Sequence, residues 1–151
     1  KAKEINSIQL NLTWSDLGSW KEIFKIMKIK ATNDHIKKNT FYRPWGHYKN
    51  IFRGKNFLLK ELTVNKMSSI SLQKHYYRSE HWTVTSGKPK ITLDKKIFFK
   101  KINESIFIPK GSIHRIENIY NESVKIVEAQ LGHTLKETDI VRYKDAYGRV
   151  K

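Results

Sequence analysis

Two stretches decide how this chain is read. The first is Gln73-Lys74-His75-Tyr76-Tyr77-Arg78-Ser79-Glu80-His81-Trp82, with six residues between Glu80 and Gly87. The second is Pro109-Lys110-Gly111-Ser112-Ile113-His114-Arg115-Ile116-Glu117-Asn118. On a β-strand, residues two apart point the same way, so Gln73 and His75 share one face and can both touch one ion. Glu80 opens the next strand nearby, and Pro109 and Gly111 shape a turn that delivers His114. Gln73, His75, Glu80 and His114 are therefore candidate ligands of a single metal ion.

Outward from these stretches the pattern is that of short strands. Apolar or alternating runs cover residues 57–64, 70–75, 81–85, 90–93, 105–108, 115–117 and 123–131, with turn residues between them at 53–56, 86–89, 94–96 and 109–111. Many short, closely spaced strands predict an all-β sandwich or barrel. Upstream, Trp20, Ile23, Phe24 and Met27 recur at helical spacing behind Ser15 and Asp16, which predicts a capped amphipathic helix over 19–29. Residues 30–40 have the polar composition of a linker, so the folded domain is expected to begin near Phe41. This divides the chain into residues 1–40 and a domain over 41–151. The tail from residue 136 fits either a short helix or an ordered strap.

With 151 residues, 38% hydrophobic, the chain suffices for one well-packed domain. It has no cysteine, so a metal must be held by His, carboxylate or amide oxygen. A net charge of +16 raises the question of nucleic acid. The lysines are spread along the chain, the arginines are few and no nucleic-acid motif appears, so no nucleic-acid partner is expected. A basic field instead favours encounter with small anions such as sugar phosphates. No apolar run is long enough to span a bilayer and no secretory signal opens the sequence, so a cytoplasmic protein with no membrane partner is expected. Lys1 in place of Met reads as the edge of a longer chain.

The first stretch resembles the first cupin motif (HxH, three or four residues, E, six residues, G), with Gln73 replacing its first His. The second matches PxGxxHxxxN at Pro109, Gly111, His114 and Asn118. Asn103 stands where that motif usually has Gly, and Asn tolerates a left-handed turn best after Gly. The resemblance implies a cupin, a double-stranded β-helix or jelly-roll-like barrel. Gln73 departs from the three His of oxidative cupins and is characteristic of phosphomannose isomerases. The string 71–82, with Arg43-Pro44-Trp45-Gly46 and with Asp145, Tyr147, Gly148 and Arg149, resembles the isomerase domain of bifunctional mannose-1-phosphate guanylyltransferase/mannose-6-phosphate isomerases. The likeness covers residues 41–149.

Trp14-Ser15-Asp16-Leu17-Gly18-Ser19-Trp20 resembles the last element of that family's nucleotidyltransferase domain, whose Gly-rich nucleotide-binding opening is not in this sequence. Guanylyl transfer is thus not expected of this chain alone, and Asp16, a magnesium-site residue in the family, is expected to be a relic. The resemblance implies a homodimer serving GDP-mannose and polysaccharide biosynthesis.

Interconverting an aldose and a ketose phosphate requires removing a proton beside a carbonyl. A divalent ion on Gln73, His75, Glu80 and His114 keeps most of its charge, since only Glu80 is an anion. Zinc is preferred, with cobalt, manganese and magnesium as alternatives. Lys60 shares parity with Leu58, Leu62 and Val64. Facing inward it would have a pKa lowered by desolvation, suited to proton transfer or phosphate binding; facing outward it is a surface lysine. Arg149 is the expected phosphate clamp from the tail, with Arg78 and Arg115 as alternatives, and Glu117 and Gln130 are further substrate-binding candidates. His35, His47, His81 and His133 are read as structural or surface residues. The alternative function is a cupin that binds a sugar or nucleotide sugar without turnover.

Overall fold

The computed structural model describes residues 39–149. The expected helix, nearly all of the expected linker, and Asp16 lie outside the described residues. Alternation of apolar and polar side chains builds two antiparallel sheets. The first runs in the order β1 (Thr40–Arg43), β2 (Gly46–Arg53), β3 (Phe57–Val64), β11 (Val124–Gly132), β6 (Arg78–Ser86), β9 (Ser105–Ile108). The second runs β12 (Val141–Lys144), β5 (Leu72–Lys74), β10 (His114–Asn118), β7 (Lys90–Leu93), β8 (Lys96–Phe99), and β4 (Ser68–Ser69) also pairs with β10. From β8 onward the strands alternate between the two sheets, as in a jelly roll, and the all-β cupin arrangement is present.

Turn chemistry fixes the corners. Asn103 has φ 70°, the left-handed conformation that Asn adopts more readily than other side-chain-bearing residues. Gly46, at φ 143°, opens β2 so close to β3 that a Cβ there would collide with the Thr63 carbonyl oxygen. The tail is both of the things its sequence allowed: a single 3-10 turn over Glu137–Asp139, then β12 added to the edge of the second sheet beside β5.

The inward faces change character along their length. On β6, Trp82 and Val84 join Leu62, Val64, Val124, Ile126, Ile91 and Ile116 in the apolar core. One or two strand steps away on the same faces lie Arg78 and Glu80 of β6, Glu128 and Gln130 of β11, and Lys60 of β3, all buried. The apolar end is closed by Asn118, whose Nδ2 reaches the carbonyls of Val64 (3.2 Å), Asn65 (2.9 Å) and Glu122 (2.6 Å). Its Oδ1 accepts from the Tyr120 backbone N–H at 3.2 Å. One amide thereby ties backbone groups of two segments, residues 64–65 and 120–122, together. The polar end holds the candidate site.

Candidate active site

His75, Glu80 and His114 come together at the polar end, with a ligand atom from each lying within 4.8 Å of the others. Strand geometry explains the meeting: β10 places His114 directly across from Gln73 of β5, and β6 carries Glu80 inward between Arg78 and Trp82. The two imidazoles lie side by side, ring centroids 4.9 Å apart.

The hydrogen bonds outside the cluster set the tautomers. His114 Nδ1 lies 2.9 Å from the Ser112 carbonyl, and His75 Nδ1 lies 3.2 Å from the Asp139 carbonyl. A carbonyl only accepts, so Nδ1 carries a proton in both rings, and Nε2 of each is the atom turned toward Glu80. His114 Nε2 is buried with no hydrogen-bond partner, and His75 Nε2 takes an N–H of Arg78 at 3.2 Å. Burial lowers the His114 pKa, which favours the uncharged ring. Nitrogen lone pairs held from behind by carbonyls and converging on a carboxylate are the donor set of a divalent-metal site. The residues therefore fit the ion the sequence implies.

Glu80 is locked by donors. Its Oε1 accepts from Arg78 Nε at 3.0 Å and Gln130 Nε2 at 3.2 Å, and its Oε2 from Trp82 Nε1 at 3.1 Å. Burial alone would raise its carboxyl. When the imidazoles are protonated, a hydrogen bond from His75 and the charges of His114, His75 and Arg78 outweigh that and hold it well below the usual carboxylate range. Arg78 also donates to the Lys136 carbonyl at 3.0 Å and approaches Asp139 Oδ2 at 3.5 Å. Asp139 in turn accepts from the backbone N–H of Tyr76 (3.0 Å) and Tyr77 (3.3 Å). The 3-10 turn is thus tied to the loop that presents His75.

Beside the cluster opens a cleft lined by charged, aromatic and apolar side chains from both sheets and the tail. Its cations are Arg43, Lys60, Arg78, Arg142 and Arg149, and its carboxylates are Glu80, Glu128 and Glu137. Burial would lower Lys60, but Glu128 and Glu137 raise it, the latter also through a 3.0 Å hydrogen bond. Glu137 is pulled down: its burial is outweighed by the charge and hydrogen bond of Lys60. Glu128 is pushed up to about 7, first by burial and then by the charge of Glu80.

Comparison with known proteins decides the family. The family model described as mannose-6-phosphate isomerase C-terminal matches residues 30–145. The chain belongs to this family. It is 39% identical over 129 residues to a mannose-1-phosphate guanylyltransferase of Salmonella montevideo, covering 85% of this chain and 27% of that protein. It is 42% identical over 118 residues to the alginate biosynthesis protein AlgA of Pseudomonas putida, covering 78% of this chain and 24% of the relative. The chain thus spans about a quarter of the length of the curated relatives it matches. In fold it is similar to a cupin-2 domain from Rhodospirillum rubrum, with a TM-score of 0.59 at 11% identity over 71% of this chain and 74% of that one.

For this isomerase-domain family member, the structure gathers some of the sequence-derived residues and disperses others. Gln73 lines the cleft beside His114, its Oε1 taking the Ser71 hydroxyl at 2.8 Å. Gln130 faces the site, as β11 parity allowed. Lys60 points inward, but the expectation of a lowered pKa is corrected: two carboxylates outweigh desolvation, so it is a fixed cation and no base. Arg78 lines the cleft, yet its guanidinium is engaged by Glu80, His75 and the 3-10 turn.

Arg149 also lines the cleft, with Nε at 2.8 Å and Nη2 at 2.6 Å from the Asp145 carboxylate. Arg115 and Glu117 are not brought to the cleft. They alternate outward on β10, where Arg115 pairs with Glu117 at 2.9 Å and Lys90 does so at 3.2 Å. Sequence reading missed Glu128, Asp139 and Arg142. Glu128 shares strand parity with Gln130 and was findable from it. Asp139 and Arg142 sit in a tail whose sequence carries no clear period.

Proposed function

We propose that this chain is a metal-dependent aldose–ketose isomerase interconverting mannose 6-phosphate and fructose 6-phosphate. The observation that carries this reading is the pairing of two carbonyl-backed, lone-pair imidazoles and Glu80 with a cleft lined by five cations. His75, Glu80 and His114, with Gln73 as fourth ligand, would hold the divalent ion, zinc by preference. Bound there, the ion would supply electrophilic stabilisation of the oxygen charge that develops when a proton leaves the carbon beside a carbonyl.

The chain's own residues do the rest. Arg43, Arg142 and Arg149 give the cleft a positive rim for a phosphate. Trp45, Tyr48, Leu62 and Ile70 supply apolar wall against which a sugar ring or open chain is held away from water. Gln130 and Arg78 fix the Glu80 carboxylate so that it does not swing toward the substrate.

The relatives' names, guanylyltransferase and alginate biosynthesis protein, support a place in GDP-mannose supply for polysaccharide synthesis; the proposal extends to a cytoplasmic homodimer. A coupled isomerase assay tests the reading: metal-stripped protein, divalent metals added back, wild type beside His114→Ala. Metal-restored turnover that the variant lacks is expected. A wild type that binds one metal per chain but does not turn over mannose 6-phosphate would refute isomerase activity in favour of a binding cupin.

A further inference from the structure

The isomerisation proposed above needs a group that carries a proton between two adjacent carbons, and the assignment of that group rests on the isomerase reading. The cleft offers three carboxylates and one lysine for the task. Glu80 is committed to the metal cluster and is surrounded by donors from Arg78, Gln130 and Trp82. Glu137 is paired with Lys60 at 3.0 Å, and the same contact keeps Lys60 an ammonium ion. Glu128 remains. It is buried at the centre of the first sheet, lies across from Lys60 of β3 and Trp82 of β6, and lines the cleft. Lys60 gives its hydrogen bond to Glu137 instead.

Position supports the task as well. The Gln130 amide donates to the Glu128 carboxylate and also to Glu80 Oε1. One side chain thus sets a proton acceptor at a fixed place beside the metal cluster, and a positioned acceptor is what proton abstraction requires.

We propose that Glu128 is the proton-transferring catalytic residue, acting on C1 and C2 of the open-chain hexose 6-phosphate. A Glu128 carboxylate oxygen takes the proton from C2 of the aldose. The C2–H electron pair becomes the second C1–C2 bond, and the C1–O1 π pair moves onto O1. The proton then passes from Glu128 to C1 while the O2 hydroxyl proton moves to O1, leaving C2=O2. One C–H bond is broken and one formed, with no oxidant or reductant.

The ionisation of Glu128 suits this exchange near neutral pH. The charged and titratable groups acting on it are Lys60 on β3, Glu80 and Arg78 on β6, and Tyr48 on β2.

The test compares wild type, Glu128→Gln and Glu128→Asp as metal-reconstituted 151-residue chains. The measurements are kcat and KM for mannose 6-phosphate, metal content, and exchange of the substrate C2 hydrogen with D2O by NMR. In Glu128→Gln, kcat and C2 exchange should fall on the order of 10²- to 10⁴-fold, with KM within about threefold and metal content unchanged. Glu128→Asp should fall between the two. An active wild type with Glu128→Gln within about tenfold of it would overturn the assignment and leave the isomerase reading standing. An inactive wild type would overturn both.

If Glu128→Gln does not fold, the wild-type pH profile decides. The acid limb of kcat/KM should move upward in Lys60→Met, which removes a charge favouring the carboxylate. An unmoved limb would overturn the proposal.

Discussion

The buried Glu128 carboxyl makes a stability prediction that can be read without any substrate. Its proton is held in the folded protein up to about pH 7, whereas the unfolded chain releases it near 4.5. Between those values the unfolded state has lost the proton and the folded state has not. The stability associated with this group is therefore full below 4.5 and is lost as pH rises through 7.

At 1.36 kcal/mol per pH unit the difference amounts to about 3 kcal/mol. Glutamine keeps the carbonyl oxygen that accepts from Gln130 and has no charge to bury. In metal-stripped protein, Glu128→Gln should therefore gain about 3 kcal/mol on wild type between pH 4.5 and pH 8. Urea unfolding of both proteins at several pH values measures that gain, and other titrations common to the two cancel in the difference. A difference between the proteins that stays constant with pH would refute the reasoning, because it would mean that Glu128 ionises as freely in the fold as in the unfolded chain.

Two further substitutions separate what holds the site from what holds the barrel. Asp139→Ala removes the carboxylate that caps the Tyr76 and Tyr77 N–H groups and loosens the turn whose carbonyl orients His75. Zinc affinity by calorimetry should drop by about 10- to 100-fold, as expected for loss of support behind a metal ligand. Asn118→Leu strands the carbonyls of Val64, Asn65 and Glu122 at the opposite end of the barrel. Unfolding by denaturant should show a loss of about 2–4 kcal/mol, while metal bound per folded chain stays the same.

The strands and the two motifs that carry the candidate metal ligands were legible in the sequence because each depends on a local rule. Residues two apart share a strand face, Pro and Gly mark a turn, and the left-handed position 103 is filled by Asn. The strand rule leaves open which of two faces is inside, so the sequence alone could not decide whether Lys60 points in or out. It also placed Arg115 and Glu117 among the candidates, whereas β10 sends His114 inward and therefore both of them outward.

Charge state was further from reach. Lys60 looked like a base among apolar neighbours, but Glu128 and Glu137 come from segments about 70 residues away in sequence and reverse the sign of its shift. The same long-range meeting singles out Glu128, whose strand parity with Gln130 marks a shared face but says nothing of its charge state. The sequence by itself determined the fold and the candidate metal ligands, since both are written in spacing. Which buried groups stay charged, which hold a proton near neutral pH and which cations face the cleft was decided only by the tertiary structure. Coulomb interactions and desolvation depend on distances between strands that the chain does not keep adjacent.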